Sequence, residues 1–81
     1  MHNVDQLLDE LRNSWGSTFV ARSEFARFSG GTISPKTIAN LETEGKGPKG
    51  KFFVGSKAAY SIDDALDFLR SRISVKGDAD A

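Results

Sequence analysis

Residues 34–60 read Ser-Pro-Lys-Thr-Ile-Ala-Asn-Leu-Glu-Thr-Glu-Gly-Lys-Gly-Pro-Lys-Gly-Lys-Phe-Phe-Val-Gly-Ser-Lys-Ala-Ala-Tyr. Ser34-Pro35 is the strongest local signal in the chain. A serine hydroxyl accepts from the orphan N–H groups of a first helical turn. Proline behind it has no N–H to lose and a φ already set for helix. The helix so started carries Ile38 and Leu41 on one face and stops at Gly45, which takes the left-handed position after a helix without a Cβ penalty. An irregular lysine- and glycine-rich segment follows over 46–51. Phe52-Phe53-Val54 and Lys57-Ala58-Ala59-Tyr60 then flank Gly55-Ser56, the pattern of a hairpin closed by a two-residue type II′ turn. The stretch predicts a helix over 35–44 with a hairpin directly behind it.

Upstream, Thr18-Phe19-Val20 reads as a very short strand or a buried link. Ser23 is placed to cap a short helix through Phe28, with Phe25 and Phe28 sharing a face. Ser29-Gly30-Gly31-Thr32 breaks that helix. Helix, glycine-bearing turn and helix make the helix-turn-helix order. Further upstream, Val4, Leu7, Leu8, Leu11 and Trp15 recur at helical spacing behind a cap at Asn3 and ahead of Gly16. Packing of this stripe on the core is favoured over a dimer contact, because a small core needs the area. Downstream, Ser61 caps a last helix with Asp63 and Asp64 in its first turn. Ile62, Ala65, Leu66, Phe68, Leu69 and Ile73 form its apolar side, and Arg70 and Arg72 stand near its end. The expected fold is mostly α with a small β-hairpin. It comprises an N-terminal helix over 1–17, a winged helix-turn-helix over 18–73 and a flexible tail over 74–81.

Composition limits the chemistry. Eighty-one residues make one small domain, burying about 60–65% of its unfolded surface. Without cysteine there is no disulfide framework and no thiolate metal site. No apolar run approaches the ~20 residues that span a bilayer. The start, Met-His-Asn-Val-Asp, lacks the pattern of a secretory signal, so the cytoplasm is the expected compartment and no membrane partner is expected. Formal net charge is zero, but it is unevenly spread: −2 over residues 1–20, +4 over 21–60 and −2 over 61–81.

Catalytic constellations are nearly absent. The single histidine, His2, lies at the chain's start without a carboxylate partner, and no serine has a base beside it. Asp63 and Asp64 are explained by the helix dipole. Residues 46–51 lack the spacing of a phosphate-binding loop and follow a helix rather than a strand. No enzyme activity, cofactor or metal is therefore expected. Nucleic-acid binding asks for cations to neutralise phosphates and a rigid element that offers polar groups to base edges. Inward Ile38 and Leu41 leave Lys36, Thr37 and Asn40 outward, with Lys36 stacked over Asn40. Lysine donates to guanine O6 and N7, asparagine pairs bidentately with adenine, and threonine bonds a base or touches a thymine methyl. Ser34 and the first-turn N–H groups suit a phosphate. Lys49, Lys51 and Lys57 suit the DNA backbone or minor groove, and Arg22, ahead of the first helix, completes the candidate set. Glu42 and Glu44 sit at the far end of the helix. The plainer alternative is that these are solvated surface residues and that the hairpin lysines blunt exposed strand edges.

The order Ser23-Glu24-Phe25-Ala26, a glycine turn, Ser34-x-x-Thr37-Ile38, Glu44-Gly45-Lys46-Gly47-Pro48, a basic hairpin, and Tyr60-Ser61-x-x-Asp64-Ala65-x-x-x-Phe68-Leu69 resembles the excisionase and AlpA-like winged-helix proteins, relatives of the MerR DNA-binding domain. The resemblance covers about residues 19 to 73. It implies that 34–41 is the recognition helix and that Gly-x-x-Pro leads into the wing. It also implies sequence-specific binding of double-stranded DNA, as an architectural factor in excision or a small transcriptional regulator of a phage or mobile element. Implied partners are DNA, further copies of the chain or an integrase. Ala39 and Asn40 stand where the family often has an aromatic and a basic residue. That departure supports a rival reading, in which the same fold docks a recombinase, terminase or polymerase without touching DNA.

Overall fold

The structure, a computed structural model, describes residues 3–74. It is a small α+β domain with four α-helices and a three-stranded antiparallel sheet. In chain order the elements are α1 (Val4–Trp15), β1 (Phe19–Ala21), α2 (Phe25–Phe28), α3 (Pro35–Thr43), β2 (Phe52–Val54), β3 (Lys57–Ser61) and α4 (Ile62–Arg72). A 3-10 turn, Arg22–Glu24, joins β1 to α2.

The capping residues set most of these boundaries. Asn3 Oδ1 accepts from Gln6 N at 2.7 Å and opens α1, which closes at Gly16. Ser61 Oγ accepts from Asp64 N at 3.0 Å and opens α4, with Asp63 and Asp64 at the positive end of its dipole. Ser23 does not act as a cap. Ala21, in extended backbone, precedes the 3-10 turn, so Ser23 falls inside that turn and makes no capping bond.

The hairpin is not free-standing. β3 lies in the middle of the sheet, in the order β1-β3-β2. Phe19, Val20 and Ala21 pair with Ser61, Tyr60 and Ala59; Phe52, Phe53 and Val54 pair with Ala59, Ala58 and Lys57. Alternation along β3 sends Ala58 and Tyr60 to one face and Lys57, Ala59 and Ser61 to the other. Val20 and Tyr60 therefore face the helices, and Phe19 and Phe52 meet edge to face on the outer side, 5.8 Å apart.

Tyr60, Phe25, Phe28, Ile38 and Val20 are the largest fully buried side chains. Burying each such side chain contributes roughly 1.5–3 kcal/mol. Phe25 is the hub, meeting Phe28, Tyr60 and Phe68 edge to face at 5.3, 6.1 and 5.7 Å. Trp15 seats α1: its ring meets Phe28 at 4.9 Å, and its Nε1 donates to the carbonyl of Phe19 at 3.1 Å. Leu8 is buried, with Val4 and Leu11 packed behind it.

Two stripe residues depart from expectation. Leu7 is 44% exposed because it falls on the outer edge of α1. Ile73 is 37% exposed and extended, one residue past the end of α4. The pairs Asp5–Arg70 and Arg12–Asp63 join α1 to α4 near opposite ends, so the two helices run antiparallel. Both pairs are exposed, and pairs of that kind are worth at most about 1 kcal/mol. Burial of Leu8 and Trp15 therefore does more to hold α1. The expected tail lies outside the described residues beyond Ser74, as does His2. No helix among the described residues is long and apolar enough to cross a membrane.

Candidate nucleic-acid interface

α3 owes its placement to both of its ends. Ser34 Oγ accepts from Thr37 N at 3.1 Å and lies 3.0 Å from Thr37 Oγ1, so the two hydroxyls engage each other at the helix start. At the other end, Gly45 has a φ of +73°. Lys46 N donates to Leu41 O at 2.8 Å and Gly45 N donates to Glu42 O at 3.1 Å. This crossed pair is the Schellman motif, which satisfies orphan carbonyls and turns the chain sharply toward the sheet. Between these ends Ile38 is wholly buried and Leu41 partly so, which leaves Lys36, Thr37 and Asn40 exposed.

The hairpin brings its cations back beside α3. Gly55 has a φ of +64°, and no residue other than glycine has a positive φ among the described residues, so the Gly55-Ser56 turn has the type II′ signature. Its tip and the first half of α3 form the two sides of an open cleft. Pro35, Lys36 and Ala39 line one side, Ser56, Lys57 and Ala58 the other, and Arg22 and Ser23 complete the lining. Lys36 and Lys57 make no ion pair among the described residues.

The other candidates are placed differently. Lys49 lies in a separate depression with Pro48, facing Asp64, Asp67 and Ser71 of α4. Lys51 Nζ lies 3.5 Å from Glu42 Oε1 and 5.7 Å from the centre of the Phe53 ring. Arg22 Nη1 donates to the same Glu42 oxygen at 3.1 Å. Of the eight candidates, the four on or capping α3 share that helix, Arg22 and Lys57 line the same cleft as Lys36, with Lys57 also lining the outer face of the sheet beside Phe19, Val54 and Ala59, and Lys49 and Lys51 are directed elsewhere.

Glu42 and Tyr60 form a centre that motif reading missed. The Glu42 side chain is 13% exposed and takes Arg22, Lys51 and the Tyr60 hydroxyl, the last on Oε2. Burial holds the Tyr60 phenol protonated far above the ordinary tyrosine range, and its hydrogen bond to the Glu42 carboxylate adds to the shift. One signal was available. Glu42 stands four residues after Ile38, so it shares the inward face of α3. Among the described residues there is no group of three or more histidine, cysteine, aspartate or glutamate side chains arranged to hold a metal ion. The chain matches no protein-family model and no curated protein sequence.

Proposed function

We propose that the protein is a winged helix-turn-helix that binds double-stranded DNA, with α3 as recognition helix and the β2–β3 hairpin as wing. The observation that carries this reading is the shared cleft. Lys36 on the helix and Lys57 on the hairpin line one opening, and both are without an ion pair among the described residues. Lys36 and Asn40, one above the other on the exposed side of α3, address base edges in the major groove. Lys57 addresses a phosphate alongside. A module of this size buries only about 600–1,000 Å² on DNA, so useful affinity calls for several copies or a partner protein. The role is an excisionase-like architectural factor or a small regulator of transcription.

The test starts from a duplex selected out of a random pool, with binding followed by fluorescence anisotropy. Lys36→Ala and Asn40→Ala should each cost about 1–3 kcal/mol of discrimination between selected and scrambled duplex. Lys57→Gln should weaken both duplexes alike and lower the salt slope by about 1. Unchanged discrimination in both α3 variants would remove the helix from its proposed role.

A second reading, a module that docks a recombinase, terminase or polymerase, is supported by a different surface. Phe19, Phe52 and Val54 are exposed together on the outer face of the sheet, at 40%, 38% and 53%. If that reading holds, the unaltered chain retards no duplex at low salt.

A further inference from the structure

Glu42 occupies a core-facing position on α3 but carries a charge. Its partners come from three separate parts of the chain: Arg22 in the 3-10 turn, Lys51 at the start of the hairpin and Tyr60 in β3. The loop after α3 closes over it, since a Cβ at Gly47 would fall 2.6 Å from Glu42 Cγ. A carboxylate so withdrawn from water persists because cations and donors surround it. It also engages both cations it holds, its one negative charge offsetting half of theirs. Arg22 lines the same cleft as Lys36 and Lys57, and Lys51 heads the hairpin. A DNA phosphate reaching either cation has to compete with a half-buried carboxylate already 3.1 or 3.5 Å away.

We infer that Glu42 is a positioning residue of the DNA-binding face, holding Arg22 and Lys51 in internal ion pairs and so withholding two sequence-blind phosphate contacts. The inference rests on the DNA-binding reading. Phosphate contacts raise affinity for every duplex and steepen its salt dependence, with each neutralised phosphate adding about 0.9 to the slope. The face therefore binds with fewer contacts than its count of basic residues suggests.

Glu42→Gln keeps the size and an acceptor for Tyr60 but forms no ion pair with either cation. Affinity for a scrambled duplex is measured between about 50 and 200 mM salt, on protein whose fold is checked by circular dichroism. The slope should steepen by about 1–2, so the affinity lost across that range grows by up to about tenfold. Arg22→Gln or Lys51→Gln alone should leave the natural slope unchanged, and each should take back about 1 in the Glu42→Gln background. A purely structural Glu42 would weaken binding without moving the slope. An unchanged slope in Glu42→Gln overturns the inference. So does a slope lowered by about 1 in either single cation variant, an arm that stands even if Glu42→Gln does not fold. Absence of any duplex binding by the unaltered chain overturns the DNA reading, and this inference with it.

Discussion

Tyr60 is the only tyrosine in the chain, and it is wholly buried with its hydroxyl on Glu42. An anionic phenolate there would lose its water and face a carboxylate, so the folded chain keeps the proton. The unfolded chain releases that proton near the ordinary tyrosine value of about 10. Above that pH the unfolded state binds fewer protons than the folded one, so stability falls as pH rises; below it, the contribution is complete. Alkaline titration followed by tyrosinate absorbance should show the band emerging only with unfolding. A band that rises near pH 10 while circular dichroism stays native would contradict the buried hydrogen bond. The inward position of Glu42 was legible from its spacing to Ile38. The identity of its partners was not, because Arg22 and Tyr60 are 20 and 18 residues away.

Single elements followed their end signals closely. Asn3, Ser34 and Ser61 each accept the N–H three residues on, and α1, α3 and α4 begin there. The cap expected at Ser23 failed because the strand before it delivers an extended Ala21, after which the chain tightens into a 3-10 turn. The hairpin rests on Gly55. A Cβ there would meet nothing within 4 Å, so substitution acts through the backbone alone. Gly55→Ala should cost about 1–2 kcal/mol, the scale of forcing a side chain into the left-handed region. Amide exchange should quicken at Val54 and Lys57, the hydrogen-bonded pair that closes the turn, while α1 and α4 stay protected. Loss of protection throughout would show that the hairpin and the helices open as one unit.

At the scale of the molecule, zero net charge conceals segregation. α1 and α4 pair through Asp5–Arg70 and Arg12–Asp63 and line one depression with Asp9 and Asp67, whereas Lys36 and Lys57 line the cleft. α1 belongs to the core through Leu8, with Val4, Leu11 and Trp15 packed against it. Leu8→Ala should cost about 2–5 kcal/mol by urea denaturation. Leu7→Ala, one residue away and 44% exposed, should stay within about 0.5 kcal/mol. Equal costs would mean that α1 packs by a different face.

The order of residues alone determined where α1, α3 and α4 start, where the hairpin turns and, apart from Leu7 and Ile73, which side chains the helices bury. Those signals act across two to four residues, within reach of one cap, one turn or one helical repeat. Only the folded chain decided that β1 joins the hairpin as a third strand, that Lys49 faces α4, and that Arg22 and Lys51 meet Glu42. Ion pairs and strand pairing depend on distances set by packing between elements far apart in the chain, and local spacing carries no record of those distances.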